Sequence, residues 1–123
     1  MGEYCLAYAL EHFQNMPLRR KFQSERNWWK KKAAPSHIFD KTIGILGTGH
    51  IGQGIGRTFR ALGARVVGYS RSGRAREPFQ EVYSLSDFPG GRAPDVLVSA
   101  AIFWETPISL LNFSMRSSKV ICP

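Results

Sequence analysis

Between residues 2 and 23 the apolar side chains fall at Leu6, Leu10, Phe13 and Met16, three or four apart with polar residues between them. That spacing predicts an amphipathic helix. Pro17 cannot sit freely inside a helix, so the helix is expected to kink or restart there. Residues 24–40 are polar, basic and aromatic, contain Pro35 and follow no clear period, and they read as a connector. From Lys41 the pattern changes. Thr42-Ile43-Gly44-Ile45-Leu46 is a short apolar run, as expected for a strand buried on both faces. Ile51, Ile55, Phe59 and Leu62 then follow at steps of four, four and three, marking one face of a helix that Gly63 ends as a C-cap. Ala64-Arg65-Val66-Val67-Gly68-Tyr69 predicts a second strand. Residues 83–88 form a short element, Pro89-Gly90-Gly91 a turn, and Asp95-Val96-Leu97-Val98-Ser99-Ala100-Ala101 another buried strand. Leu110-Leu111-Asn112 reads as part of a helix, and Lys119-Val120-Ile121-Cys122 as the opening of one more strand.

Alternating strand and helix patterns predict a parallel sheet with helices on its faces, an α/β class. The division expected is a crossing helix and basic connector over 1–40, then a domain over 41–123 whose sheet stops short at its C-terminal edge. A glycine triplet alone is a weak motif. Here Gly47-Thr48-Gly49-His50-Ile51-Gly52 follows a strand, opens a helix and is succeeded by a second strand. That is the context of a dinucleotide-binding βαβ unit, spanning residues 41–72, within a Rossmann-type doubly wound sheet. Each glycine has its own reason. Gly47 permits the tight turn, Gly49 lets a pyrophosphate approach the backbone, and Gly52 lets the helix lie close to the strand. The N–H groups around His50 and Ile51 point out of the helix N-terminus, where the dipole favours an anion. Gly54 and Gly56 each cost about 1 kcal/mol of helix propensity relative to Ala. Close packing on the sheet is expected to offset that cost.

The end of the second strand selects between cofactors. An NAD site places an acid there to bind the ribose hydroxyls. This chain has Ser70, Arg71 and Ser72, with Arg74 just beyond. A carboxylate would repel the additional phosphate of NADP, whereas a hydroxyl and a guanidinium can hydrogen-bond to it. NADP is therefore the expected cofactor, with NAD still open.

Composition narrows the class further. The chain has 123 residues, 43% of them apolar, which suits one globular domain. No run approaches the roughly 18 apolar residues of a membrane span, and the start has no basic segment followed by an apolar stretch. Cys5 and Cys122 fit reduced thiols better than a disulfide framework, which points to the cytoplasm. The formal net charge of +8 admits nucleic acid, an anionic membrane or a phosphorylated ligand. The charge concentrates in Arg19-Arg20-Lys21 and Lys30-Lys31-Lys32, around Trp28 and Trp29. Basic runs interleaved with aromatics can bind single strands. No helix-turn-helix, zinc-finger or RNA-binding signature accompanies them, so a solvated helix end and linker is the favoured reading.

The stretch Thr42–Gly52, with Ala61–Tyr69 after it, resembles the strand, glycine loop and second strand of the D-isomer-specific 2-hydroxyacid dehydrogenases. Asp95–Ala101 is similar to the strand leading into that family's Pro-x-Thr-type loop, Leu110-Leu111-Asn112 to the far end of that loop, and Glu3-Tyr4 with the following helix to the family's crossing helix. The resemblance implies that Ala101, Ile102 and Thr106 line the cofactor beside Gly47, Gly49, His50, Ile51, Gly52, Ser70, Arg71 and Ser72. Ile102 stands where the family usually has proline, Trp104 where it often has threonine, and Pro107 replaces a second threonine. The resemblance also implies an arginine for the substrate carboxylate and a histidine–acid pair for proton transfer. None of His12, His37 and His50 stands at the matching position, and no catalytic or metal-ligating residue is assigned. The expectation is the cofactor domain of an enzyme that reduces a small 2-oxoacid such as glyoxylate or hydroxypyruvate with NADPH, a homodimer when intact. The chain alone is expected to bind cofactor without turnover. A dinucleotide-binding, corepressor-like module is the alternative, and a basic nucleic-acid-binding protein a more distant one.

Overall fold

Ile43 and Ile45 of the first strand face one way and Gly44 and Leu46 the other, and all four are buried. The strand is therefore covered on both faces, as its unbroken apolar run predicts. The structure, a computed structural model, describes residues 1–28, 34–100 and the backbone of strand 119–121. Its elements are helices α1 (Gly2–Phe13) and α2 (Met16–Ser24), strand β1 (Thr42–Leu46), helix α3 (His50–Ala61), and strands β2 (Arg65–Ser70), β3 (Glu81–Ser84), β4 (Val96–Ser99) and β5 (Lys119–Ile121). Single 3-10 turns occupy Ile38–Asp40 and Leu85–Asp87. The strands form one parallel sheet in the order β3-β2-β1-β4-β5. That is the strand order of the doubly wound dinucleotide-binding fold, with its crevice where the order reverses, between β1 and β4. The predicted strand at Lys119 is thus present, at the edge of the sheet.

The pleat sorts the core into two. On one face Ile43, Ile45, Val66, Val96 and Val98 pack with Ile55 and Phe59 of α3, Phe79, and Cys5, Ala9 and Phe13 of α1. On the other, Leu46, Val67, Tyr69 and Leu97 meet Tyr83, Leu85 and Phe88. Two helix faces differ from the expected ones. In α1 the buried line is Cys5, Ala9 and Phe13, while Leu6 and Leu10 lie beside it only partly buried. In α3 it is Gly52, Ile55, Gly56 and Phe59, and Ile51 and Leu62 are exposed. Gly56 packs as expected, since a Cβ there would stand 3.0 Å from Pro78 and 3.5 Å from Val66. Gly54 does not pack on the sheet: a Cβ there would meet nothing within 4 Å. Its carbonyl instead accepts a bond from Thr58 Oγ1 and lies beside Gly2 of α1.

At Pro17 the helix restarts. Asn15 takes a left-handed conformation (φ 52°) and ends α1, and the proline sits in the first turn of α2, where its missing N–H costs nothing. No residue of α2 is buried. Arg20 pairs with Glu11 at 2.6 Å, and Arg19 Nε donates to the Gln14 carbonyl, so the basic run lies on a solvated helix tied to its neighbour. Trp28 is exposed. Trp29 and Lys30–Lys32 lie outside the described residues. Among the described residues no helix is long and apolar enough to cross a membrane.

Tyr69 is 1% exposed and donates its hydroxyl to the Pro89 carbonyl at 3.0 Å. Burial, with smaller contributions from the charges of Tyr83 and Glu81, pushes its phenol up to about 12. An unfolded tyrosine ionises near pH 10. The folded chain therefore keeps this contribution in full below about pH 10 and loses it as pH rises towards 12, on the order of 2 kcal/mol in all. Urea midpoints measured between pH 9 and 11.5 should fall in the wild type, and fall less in Tyr69→Phe.

Candidate functional site

The carboxyl end of β1 leaves the sheet at the point where the strand order reverses, and the glycine turn begins there. Gly47 has φ +99°, a conformation that side-chain-bearing residues rarely adopt, and its N–H donates to the Tyr69 carbonyl at 2.8 Å. The turn is thus tied to the end of β2. Gly49 is the N-cap of α3, in extended backbone and without a side chain to cap the helix. The first amides of α3 have no carbonyl four residues earlier within the helix, and no acid occupies the first turn to take them. A Cβ at Gly49 would enter open space, with no atom within 4 Å. A Cβ at Gly52 would lie 1.9 Å from the Gly47 carbonyl oxygen and 3.3 Å from Ile45. The close approach at Gly52 is therefore chiefly to the loop and only secondarily to the strand.

Both sides of the turn are braced. Thr48 is buried, with its methyl against Gly68 of β2, where a Cβ would stand only 2.7 Å away. The Thr48 carbonyl accepts from Gln53 Nε2 at 3.0 Å and from Arg76 Nη1 at 3.4 Å. Neither Gln53 nor Arg76 carries a sequence signal that marks it out. The one hint was Gly68, a glycine inside an otherwise apolar strand, which signals close approach by another part of the chain.

At the end of β2 the chain turns back on itself. Ser70 Oγ accepts the Gly73 N–H at 3.1 Å, with Gly73 at φ +61°. Ser72 Oγ accepts the Arg74 N–H at 3.3 Å, and Ser84 Oγ donates to the Arg71 carbonyl. Each of Ser70 and Ser72 acts as an acceptor here, and a hydroxyl in that state can still donate its own proton. Arg71 and Ser72 are exposed, and Ser70 half-buried. The structure therefore brings Gly47, Gly49, His50, Ile51 and Gly52 together at the start of α3, with Ser70, Arg71 and Ser72 on the adjacent strand end. The exposed Ile51 belongs to this mouth and not to the helix core. On the other side, β4 ends with the Ala100 N–H on the Leu46 carbonyl at 2.8 Å. Ala101, Ile102 and Thr106 lie outside the described residues. The three histidines stand apart: His12 on α1, His37 stacked on Phe39 in the connector, and His50 at the glycine turn.

A positive-φ turn, an open side at Gly49 and uncapped amides fit the phosphates of a dinucleotide, with room for its backbone-close approach. The sequence profile of the D-isomer specific 2-hydroxyacid dehydrogenase NAD binding domain matches residues 6–91. A D-lactate dehydrogenase of Treponema pallidum is 39% identical over 70 residues, which are 56% of this chain and 21% of that protein. A solved D-isomer specific 2-hydroxyacid dehydrogenase family protein from Aeromonas salmonicida is similar with a TM-score of 0.74 and 37% identity, over 81% of this chain and 32% of that one. The NADPH-dependent glyoxylate/hydroxypyruvate reductase of Sinorhizobium meliloti, solved with NADP and sulfate, is similar at TM-score 0.71 and 27% identity, over 81% and 31%. The chain thus spans from about a fifth to a third of the length of these relatives.

Proposed function

Because this chain belongs to the D-isomer specific 2-hydroxyacid dehydrogenase family, with an NAD(P)-binding domain over residues 6–91, we propose that it is the cofactor-binding part of an oxidoreductase that uses NADPH to reduce a small 2-oxoacid. The observation that carries the cofactor choice is the end of β2. Ser70, Arg71 and Ser72 stand there in place of a carboxylate, directly after Tyr69, whose carbonyl holds the Gly47 N–H of the turn. The first amides of α3 hold the pyrophosphate, and the hydroxyls and guanidinium at the strand end hold the 2′-phosphate. Bound NADPH supplies the hydride. This chain's residues bind and orient it, so that the carbonyl meets a fixed ring. Ala101, Ile102 and Thr106, outside the described residues, are further cofactor-binding residues in this reading.

Glyoxylate or hydroxypyruvate is the substrate we favour, supported by the Sinorhizobium relative's named activity and by the phosphate-compatible strand end. The intact enzyme is read as a homodimer of the cytoplasm, where a thiol such as the buried, free Cys5 stays reduced. The dehydrogenases and reductases matched here lend no support to the corepressor-like or nucleic-acid readings.

NADPH should bind more tightly than NADH by about tenfold or more, because charge-assisted hydrogen bonds to one phosphate are worth about 1.5–3 kcal/mol. Arg71→Ala should remove a large part of that difference and leave NADH binding nearly unchanged in isothermal titration. A wild-type chain that favours NADH would overturn the cofactor assignment. Salt-dependent DNA binding without dinucleotide affinity would overturn the whole reading.

A further inference from the structure

We propose that Arg76 is a second cationic arm of the nucleotide site, selecting the 2′-phosphorylated dinucleotide alongside Arg71. This inference rests on the NADPH reading above. It starts from one long bond: Arg76 Nη1 donates to the Thr48 carbonyl at 3.4 Å, across 28 residues of sequence. Thr48 lies between Gly47 and Gly49, and Gly47 is itself bonded to the end of β2. The guanidinium therefore stands at the junction of the two strand ends, on the side where the first ribose of a dinucleotide meets this fold.

The position of Arg76 is built by the loop beneath it. Its own carbonyl accepts the Phe79 N–H at 3.1 Å. Arg60 of α3 donates to the Pro78 carbonyl at 2.9 Å, and the Gln80 N–H reaches the Val66 carbonyl at 3.0 Å. Pro78 and Phe79 are buried, with Pro78 against Gly56 and Phe79 against both Gly56 and Gly68. The chain on the C-terminal side of Arg76 is thus anchored at three successive residues. On the N-terminal side, Gly73 turns back onto Ser70. An exposed arginine on such a base is held near the strand ends by the fold itself.

The bond Arg76 makes is one it can give up. A contact of 3.4 Å to a neutral carbonyl is long for an N–H···O bond, and Gln53 also serves that carbonyl, at the shorter distance. Among the described residues the Thr48 carbonyl is the partner found for the Arg76 guanidinium, and neither described ion pair includes it. Phosphate oxygens offer shorter, charge-assisted and bidentate bonds to the same group. A 2′-phosphate would draw Arg76 off the loop carbonyl, leaving Gln53 to hold the turn.

A purely structural latch predicts something different, since a loosened loop would weaken every dinucleotide alike. Dissociation constants for NADPH, NADH, adenosine 2′,5′-bisphosphate and 5′-AMP should be measured on the wild type, Arg76→Ala, Arg76→Lys and Arg71→Ala. Arg76→Ala is expected to weaken NADPH and the bisphosphate about tenfold, to change NADH and 5′-AMP less than twofold, and to be partly rescued in Arg76→Lys. Retained NADH binding reports that the variants are folded. An equal loss for all four ligands overturns the proposal in favour of a latch. No loss in Arg76→Ala, in a chain that prefers NADPH through Arg71, overturns the proposal and leaves the NADPH reading standing. A wild type that prefers NADH overturns both.

Discussion

A Gly49→Val chain is expected to melt within a few degrees of the wild type and to lose dinucleotide binding. The two halves of that result have separate causes. Gly49 has extended backbone (φ −74°, ψ −167°), which a β-branched residue adopts without strain, and a side chain there meets no protein atom within 4 Å. Glycine provides no side-chain cap to lose, so the helix start is weakened by a few tenths of a kcal/mol to about 1. The space that is open in the protein is the space a pyrophosphate must enter. Two methyl groups there would hold the phosphates away from the first amides of α3. Affinity should fall by at least about a hundredfold, equivalent to about 2.8 kcal/mol. Paired thermal melts and titration calorimetry check it, and equal affinity in the two chains would show that the turn is not the binding site.

Three residues on, the same substitution should do the opposite. Gly52→Val places a Cβ 1.9 Å from the Gly47 carbonyl oxygen. That atom belongs to a backbone held at φ +99° and bonded through its N–H to Tyr69. It cannot rotate aside as a side chain would. Overpacking into a responsive core costs about 1–3 kcal/mol, and here the cost should reach or exceed the upper end. For a domain of this size that is a fall in melting temperature of roughly 10 °C or more, read by circular dichroism. Gly52→Ala should lie between wild type and valine, since it brings the same Cβ without the branches. A Gly52→Val chain as stable as wild type would mean that α3 does not press on the loop.

The glycine turn was legible because its demands are steric and local: a positive-φ residue, an absent Cβ and flanking strands can all be read from neighbours in the chain. The helix faces were misread for a related reason. α3 packs through Gly52, Ile55, Gly56 and Phe59, and two of those four contribute no side chain to a hydrophobic pattern. The pattern therefore rotated the face towards Ile51 and Leu62, which are exposed. In α1 the small residues Cys5 and Ala9 were hidden in the same way behind Leu6 and Leu10. Where helices approach closely, small residues mark the contact, and apolar periodicity is least sensitive to them. Arg76 was out of reach for another reason. Its place depends on Arg60, Gly56 and Val66 anchoring its loop, and none of those contacts has a local signature.

The end of the sheet opposite the glycine turn is fastened by side chains. Asp95 Oδ2 accepts the Thr42 N–H at 2.8 Å while the Asp95 N–H donates to the Thr42 carbonyl, and Gln80 closes a matching ring on Val66 through its Oε1 and its own N–H. These paired clasps fix the register of β4 on β1 and of the chain entering β3 on β2. Because strands are stiff and of fixed pitch, a register set at the amino ends is carried to the carboxyl ends four or five residues away. The spacing between the glycine turn, Ser70 and Ala100 is therefore gauged from the far side of the molecule. Asp95 and Gln80 act as a ruler for a cleft they never touch. A family drift that altered them could change the width of the nucleotide groove while every residue lining it stayed the same.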